Sequence, residues 1–474
     1  MRALLAFLLI TTAVAGCLDD RPMAAQDPEA EARSLYVDPV QFIDDGHDHG
    51  DPLTHDVANN ITQVGFHPLG DGGPPGSVSE IDVAGDHAFV GVMGHGFMIV
   101  DIEDPTDPQL VSSVEVTTPD HQLPTDVYLA DLKVDRTGDW VFVALELSTT
   151  PGVLIYDARD KANPTLAGFW PEPGLLLGCH MIEYAIIGEQ EYLFCAPLDN
   201  AVYVGLILPP VDTPAGSVRE IVQVARWMPH TPKFAQQQVA ALEAYVSQCS
   251  PDDPTCLAAA ATHFVSGHQD MTWQKDPLDG RDVLSVSFWN LGLRFVDVSN
   301  PALPLEIGSW AGESAGKWDG VLHTSMMFPA VRDGQEKRIA VTIPEGARPP
   351  ALFVLDATDY NDPILLAEWT AVDDFRGEDG RYSMHNFQVV DGKIYLAMYH
   401  GGIWVFDVST PDYQDAPKVL GNYNPWDRET GNGCCGGSWD VVVWRGHMIA
   451  GNTGGLYVLK FDGDPDADEH SGFA

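Results

Sequence analysis

Positive charge is scarce in this sequence: 25 lysines and arginines stand against 69 aspartates and glutamates, a formal charge of −44 over 474 residues. A field of that sign repels polyphosphate, so charge-driven binding to nucleic acid or to an anionic membrane is excluded. Long apolar runs are missing as well. The Ala3–Ile10 stretch is too short to span a bilayer, and no later segment reaches ~18 uninterrupted apolar residues, so no transmembrane helix is expected. Helix-period patterning is rare. Disorder is ruled out by 45% hydrophobic content with only 20% charged residues. What is left, with 45 glycines and 35 prolines, is a globular chain of short strands joined by tight turns. The surplus of carboxylates suits solubility in concentrated salt, and a halophilic source is expected.

The N-terminus reads as an export signal. A single positive charge at Arg2, the short apolar run and Val14-Ala15-Gly16 before Cys17 make residues 1–16 a signal peptide. Small residues directly before a cysteine resemble the lipobox of lipoproteins, which implies that Cys17 is lipidated; the alternative is an ordinary cleavage site beside a free cysteine. Residues 17–59 are acidic and aperiodic, a flexible tether. The expected location is the cell surface, with membrane contact only through the lipid on Cys17.

Residues 60–461 carry a repeat. Gly96-Phe97-Met98-Ile99-Val100-Asp101, Gly292-Leu293-Arg294-Phe295-Val296-Asp297 and Gly402-Ile403-Trp404-Val405-Phe406-Asp407 are each an apolar strand closed by Asp and followed within four residues by proline. Val153–Asp157 and Leu352–Asp356 are weaker copies; Val202–Gly205 and Leu456–Lys460 are degenerate ones. Asp accepts backbone N–H bonds in the turn, and proline presets φ while ending the ladder. With a hairpin upstream and a second strand downstream, each unit is about four strands, the size of a propeller blade. Strand ends at 101, 157, 205, 297, 356, 407 and 460 predict an all-β, seven-bladed β-propeller. The last copy lacks its outer strand, which Ile61–Phe66 can supply to close the ring. Lys233–Gln248, with apolar residues at 239, 242 and 246, predicts a helical insertion within about 230–263, and residues 462–474 form an acidic tail. The strand-Asp signature resembles the LVIVD-repeat family of extracellular β-propellers, a resemblance that implies fold far more than activity.

Chemistry is expected at the hub. Aligned on their first strands, blades 3 to 6 place His180, His268, His323 and His385 at one position, and blades 1, 2 and 7 place Glu80, Asp131 and Asp440 there. First strands line the channel of a propeller, so these side chains form a ring. Imidazoles on one axis suit a transition metal (Zn, Fe, Cu or Ni), with the carboxylates as ligands or supports. The competing reading is a copied structural histidine that bonds the backbone of the next blade. His95 and His400 fall in turns on the same face. In an exported chain, Cys179–Cys195 can bridge across a hairpin, Cys249–Cys256 within the insertion and Cys434–Cys435 as neighbours. Three functions are open. One is a monomeric surface binding module whose rim loops contact an extracellular protein or glycan. Another is a metal-dependent enzyme, with oxidoreductase as one option. The third is a purely structural surface protein.

Overall fold

The computed structural model describes residues 57–69, 78–116, 128–146, 152–171, 178–197, 201–214, 216–229, 270–288, 292–310, 321–345, 350–370, 383–409, 417–424, 437–452 and 454–463. Six antiparallel sheets run in chain order through Val78–Glu115, Tyr128–Pro171, Met181–Trp227, Met271–Trp310, Val321–Thr370 and Phe387–Asn424. The seventh takes Val441–Trp444, His447–Asn452 and Gly455–Phe461 from the C-terminal end and Ile61–His67 from the N-terminal end. First strands touch in succession, and Val441–Trp444 meets Val78–Ala84, so the sheets close into a seven-bladed ring. The expected closure is present, Ile61 pairing with Phe461 and His67 with Leu456. A further strand, Val57–Asn59, falls in the stretch read from sequence as tether. It lies on the outer edge of blade 6, Val57 opposite Asn424. Asn60, at φ 55°, then turns the chain from blade 6 into blade 7.

The Asp-closed strands behave as their chemistry requires. Asp101, Asp157, Asp297, Asp356 and Asp407 each accept the N–H two residues on, at 2.9–3.1 Å. In all seven blades the pairing of third and fourth strands shifts register by one residue. The residue just past that bulge is always small: Ser112, Gly168, Ala225, Gly308, Ala367, Gly421 and Gly65 in blades 1 to 7. The reason is visible where glycine stands. A Cβ on Gly65, Gly168 or Gly308 would overlap the carbonyl oxygen of Pro105, Arg219 or Tyr360 in the next blade's turn. The bulge therefore seats one blade's rim against its neighbour, and Ser309 N–H completes the contact by donating to the Tyr360 carbonyl at 3.1 Å. Gly308→Ala should lower stability by about 2–4 kcal/mol through this backbone overlap. Chemical unfolding checks it, with Gly280→Ala, at an open turn, as a control for backbone strain alone.

The cores lie between adjacent sheets, as with Phe194, Val204 and Trp227 of blade 3 against Leu284, Val286 and Phe288 of blade 4. A short hairpin, Val211–Thr213 with Gly216–Val218, precedes the outer strand of blade 3, where no extra strands were expected. No helix occurs among the described residues, and the predicted insertion at 230–263 lies outside them. The segments expected as signal peptide and tether, apart from residues 57–59, lie outside as well, with Cys17 and the tail beyond 463.

Candidate functional site

Each first strand has one edge paired with its own second strand and a second edge unpaired in the sheet. That second edge carries backbone N–H groups that must find acceptors. Side chains supply them at six of the seven junctions. Asp82 accepts from Val134 N–H (2.8 Å), Asp131 from Ile182 (2.7 Å), Glu183 from Trp273 (2.9 Å), and Gln274 from Met327 (2.6 Å). Gln388 accepts from Val443 (2.9 Å) and Asp440 from Ile81 (3.0 Å), which seals the ring. The seventh junction uses the opposite polarity: the Thr324 hydroxyl of blade 5 donates to the His385 carbonyl of blade 6 at 3.0 Å.

This lacing fixes the roles of three carboxylates expected as ligands or supports. Asp131 and Asp440 hold neighbouring backbones. Lys133 Nζ reaches Glu80 Oε1 and Asp131 Oδ1, both at 2.8 Å, and Asn386 Nδ2 donates to Glu80 Oε2 at 3.0 Å. The charge of Lys133 is felt by Glu80, Asp82, Glu183, Asp270 and Asp440. One ammonium cannot balance so many buried carboxylates, and the surplus shows in their proton affinity. Burial pushes Glu183 up to about 8, and Asp270 and Asp440 each up to about 6. Burial, reinforced by Asp440, raises Glu80 well above the usual range. Burial alone would lower Lys133, but Asp131, Glu80, Glu183 and Asp82 outweigh it and hold the ammonium charged.

The histidines converge. His323, 2% exposed, and His385, 8% exposed, have ring centroids 4.3 Å apart. Glu345, closing the second strand of blade 5, joins them, and one ligand atom from each of the three lies within 4.8 Å of the others. A register break between Leu322 and Ser325 leaves His323 and Thr324 without strand partners, which turns both side chains from their regular directions. His180 also belongs here: its charge is felt at both His323 and His385. Its partner is Glu146, which closes the second strand of blade 2 and lies 2.7 Å from Nδ1.

The Nδ1 atoms show what each ring is prepared for. His385 Nδ1 is 2.8 Å from the Trp439 carbonyl, which can only accept, so this nitrogen carries the proton. Asn386, oriented by its bond to Glu80, turns Oδ1 to Thr324 at 3.1 Å. The Thr324 proton is thus directed at acceptors, and its oxygen accepts from His323 Nδ1 at 2.9 Å. Glu146 likewise accepts from His180 Nδ1. In His323 and His385 the proton sits on Nδ1 and the lone pair on Nε2, a tautomer that can bind metal through Nε2. Burial and the neighbouring imidazoles depress His323 well below the ordinary histidine range, and burial also depresses His385, which keeps both neutral at pH 7. Burial would depress His180 too, but Glu146, Glu345 and Asp131 outweigh it and raise it.

The other expected residues fall elsewhere. His268 lies outside the described residues, as do Cys249, Cys256, Cys434 and Cys435. His95 Nε2 is 3.0 Å from Ser113 Oγ on the outer strand of blade 1, a rim contact. His400 is buried in the turn after the second strand of blade 6, where its carbonyl accepts from Asn424 Nδ2 at 2.9 Å. Cys179 and Cys195 form the expected disulfide, with Cα atoms 5.5 Å apart, one residue before His180. Glu146 and Glu345 were not among the expected residues. Their one sequence signal is an acid ending an apolar second strand, on the same face as the starts of the first strands.

Among solved structures, similarity extends to Saccharomyces cerevisiae Sqt1, at 9% identity and a TM-score of 0.49 over 85% of this chain and 99% of that one. The Cps50 (Swd1) β-propeller domain of Myceliophteria thermophila is similar at 12% identity and a TM-score of 0.48, with the same coverage of both chains. No curated protein sequence matches the chain. The LVIVD repeat matches residues 75–116 and 284–311, which are blade 1 and the last three strands of blade 4. The chain is thus a seven-bladed β-propeller that carries LVIVD repeats.

Proposed function

We propose that the protein is an exported, lipid-anchored propeller of the cell surface that acts as a binding module, its rim loops contacting an extracellular protein or glycan. The observation that carries this reading is the Cys179–Cys195 disulfide, because such bonds persist in oxidising compartments. The leader ending Val14-Ala15-Gly16-Cys17 supports it from the sequence, as do the acidic tether and the LVIVD repeats. A lipid at Cys17, a spacer of some forty residues and a rigid ring would hold the rim away from the bilayer. Cys17→Ser should move the protein from the membrane fraction to the medium or the soluble fraction and abolish labelling by a radioactive fatty acid. Retention of both membrane association and label in the variant would overturn the anchor. Loss of the Cys179–Cys195 bridge in protein recovered from the native host would overturn export.

A further inference from the structure

We propose that His323, His385 and Glu345 form a binding site for one divalent transition-metal ion of the zinc or ferrous class at the mouth of the propeller hub, with His180 beside its open side. Three kinds of observation support this.

The first is geometric. One ligand atom from each of the three residues lies within 4.8 Å of the others. A metal about 2.0–2.2 Å from nitrogen and oxygen ligands keeps them within roughly 4.4 Å of each other, so small side-chain rotations close the site. Two imidazoles and one carboxylate form a set that zinc and ferrous iron both accept, and it leaves positions open for an external ligand.

The second is the surrounding shell. His385 Nδ1 is held by the Trp439 carbonyl and His323 Nδ1 by Thr324. Thr324 is itself fixed by the His385 carbonyl and by Asn386, whose amide is anchored on Glu80. The Tyr399 hydroxyl donates to Glu345. Every ligand thus has a partner that fixes its orientation, as metal-binding histidines and carboxylates do. A structural histidine serving only to lace blades would need one ring nitrogen on the next blade. That describes Nδ1 of His385, but it does not account for two imidazoles with centroids 4.3 Å apart beside a carboxylate.

The third is charge. Lys133 stands against Glu80, Asp82, Asp131, Glu183, Asp270 and Asp440 on the first strands. Such a surplus favours a cation at the hub. His180 lies outside the 4.8 Å group, is more exposed than the other two rings, and is aligned by Glu146. We assign it to the side where an exogenous ligand would bind.

The test uses Co²⁺ as the probe on the full mature chain stripped with chelator and dialysed. One equivalent should bind and give visible ligand-field bands. Glu345→Gln and His385→Gln should each weaken binding at least 100-fold, and Tyr399→Phe about 10-fold. Co²⁺ should raise the melting temperature of the wild type but not of Glu345→Gln, whose metal-free melt monitors its fold. If His385→Gln does not fold, Glu345→Gln decides the matter. One equivalent bound with equal affinity by wild type and Glu345→Gln, or no stoichiometric binding by the wild type, would overturn the site.

Discussion

Lys133→Met should destabilise the protein by about 3–5 kcal/mol at pH 8, the loss expected when one partner of a buried charge group is removed. Lys133 Nζ sits 2.8 Å from both Glu80 and Asp131, and its charge reaches four further carboxylates, two buried and two half-buried. Without it these groups must either stay charged in a dry interior or take up protons. At pH 8 proton uptake is costly, whereas at pH 5 protons are available and the repulsion relaxes. The loss should therefore shrink to less than half on going from pH 8 to pH 5. Wild-type Lys133 behaves in the complementary way. Its folded pKa lies above the unfolded value, so its stabilisation is complete through neutral pH and fades only in strong base. Urea unfolding of both proteins at the two pH values, at constant salt, gives the comparison. A loss under about 1 kcal/mol at both would mean that the carboxylates do not depend on this ammonium.

Wild-type stability itself should fall as pH rises from 6.5 to 8.5. Glu183 is raised from 4.5 in the unfolded chain to about 8 in the fold. The folded protein therefore holds a proton that the unfolded chain has released, and this advantage is lost as pH rises through the folded value. From those two values the change amounts to about 2 kcal/mol over this interval. Glu80 and His180, also raised, act in the same direction. Asp270 and Asp440, near 6, complete their change below this window. His323 and His385 oppose it only in acid. Their pKa values are depressed, so the unfolded chain gains protons first and the contribution of these two rings falls below about pH 6.5. Over the same acid range Asp270 and Asp440 take up their protons and offset that loss. Glu183→Gln, which keeps an oxygen for the Trp273 N–H, should flatten the alkaline slope. Melting curves across pH 5–9 for both proteins measure it, and an unchanged slope in the variant would exclude Glu183 as its source.

Much of the fold was legible in the sequence because it is written in local chemistry. Five strands ending in Asp before a proline turn predicted five Asx-type turns, and each Asp accepts the expected N–H. Counting the copies gave seven blades, and the missing outer strand of the last one pointed to Ile61–Phe66. What escaped depends on the neighbouring blade. The small residue after each outer-strand bulge is glycine in four blades and serine or alanine in three, so no single letter recurs. Its reason, a turn carbonyl arriving from the next sheet, appears only in three dimensions.

The site divides along the same line. The histidine column was readable from the starts of the first strands, and two of its members, His323 and His385, meet with ring centroids 4.3 Å apart. The carboxylates at corresponding positions in blades 1, 2 and 7 were read by analogy with the histidines, yet Asp131 and Asp440 cap the first strands of the next blades. Glu80 instead joins Lys133 and Asn386. The carboxylates that do meet the imidazoles, Glu345 and Glu146, come from second strands. Their direction along the chain is opposite, so alignment of first strands could not bring them into one column.

The most direct measurement is X-ray diffraction from crystals of the full mature protein soaked in Co²⁺, with data collected on both sides of the cobalt absorption edge. One anomalous peak at the hub, within bonding distance of Nε2 of His323, Nε2 of His385 and a carboxylate oxygen of Glu345, is the predicted result. Cobalt found only at other histidines, with the space between these three side chains empty, would contradict the account.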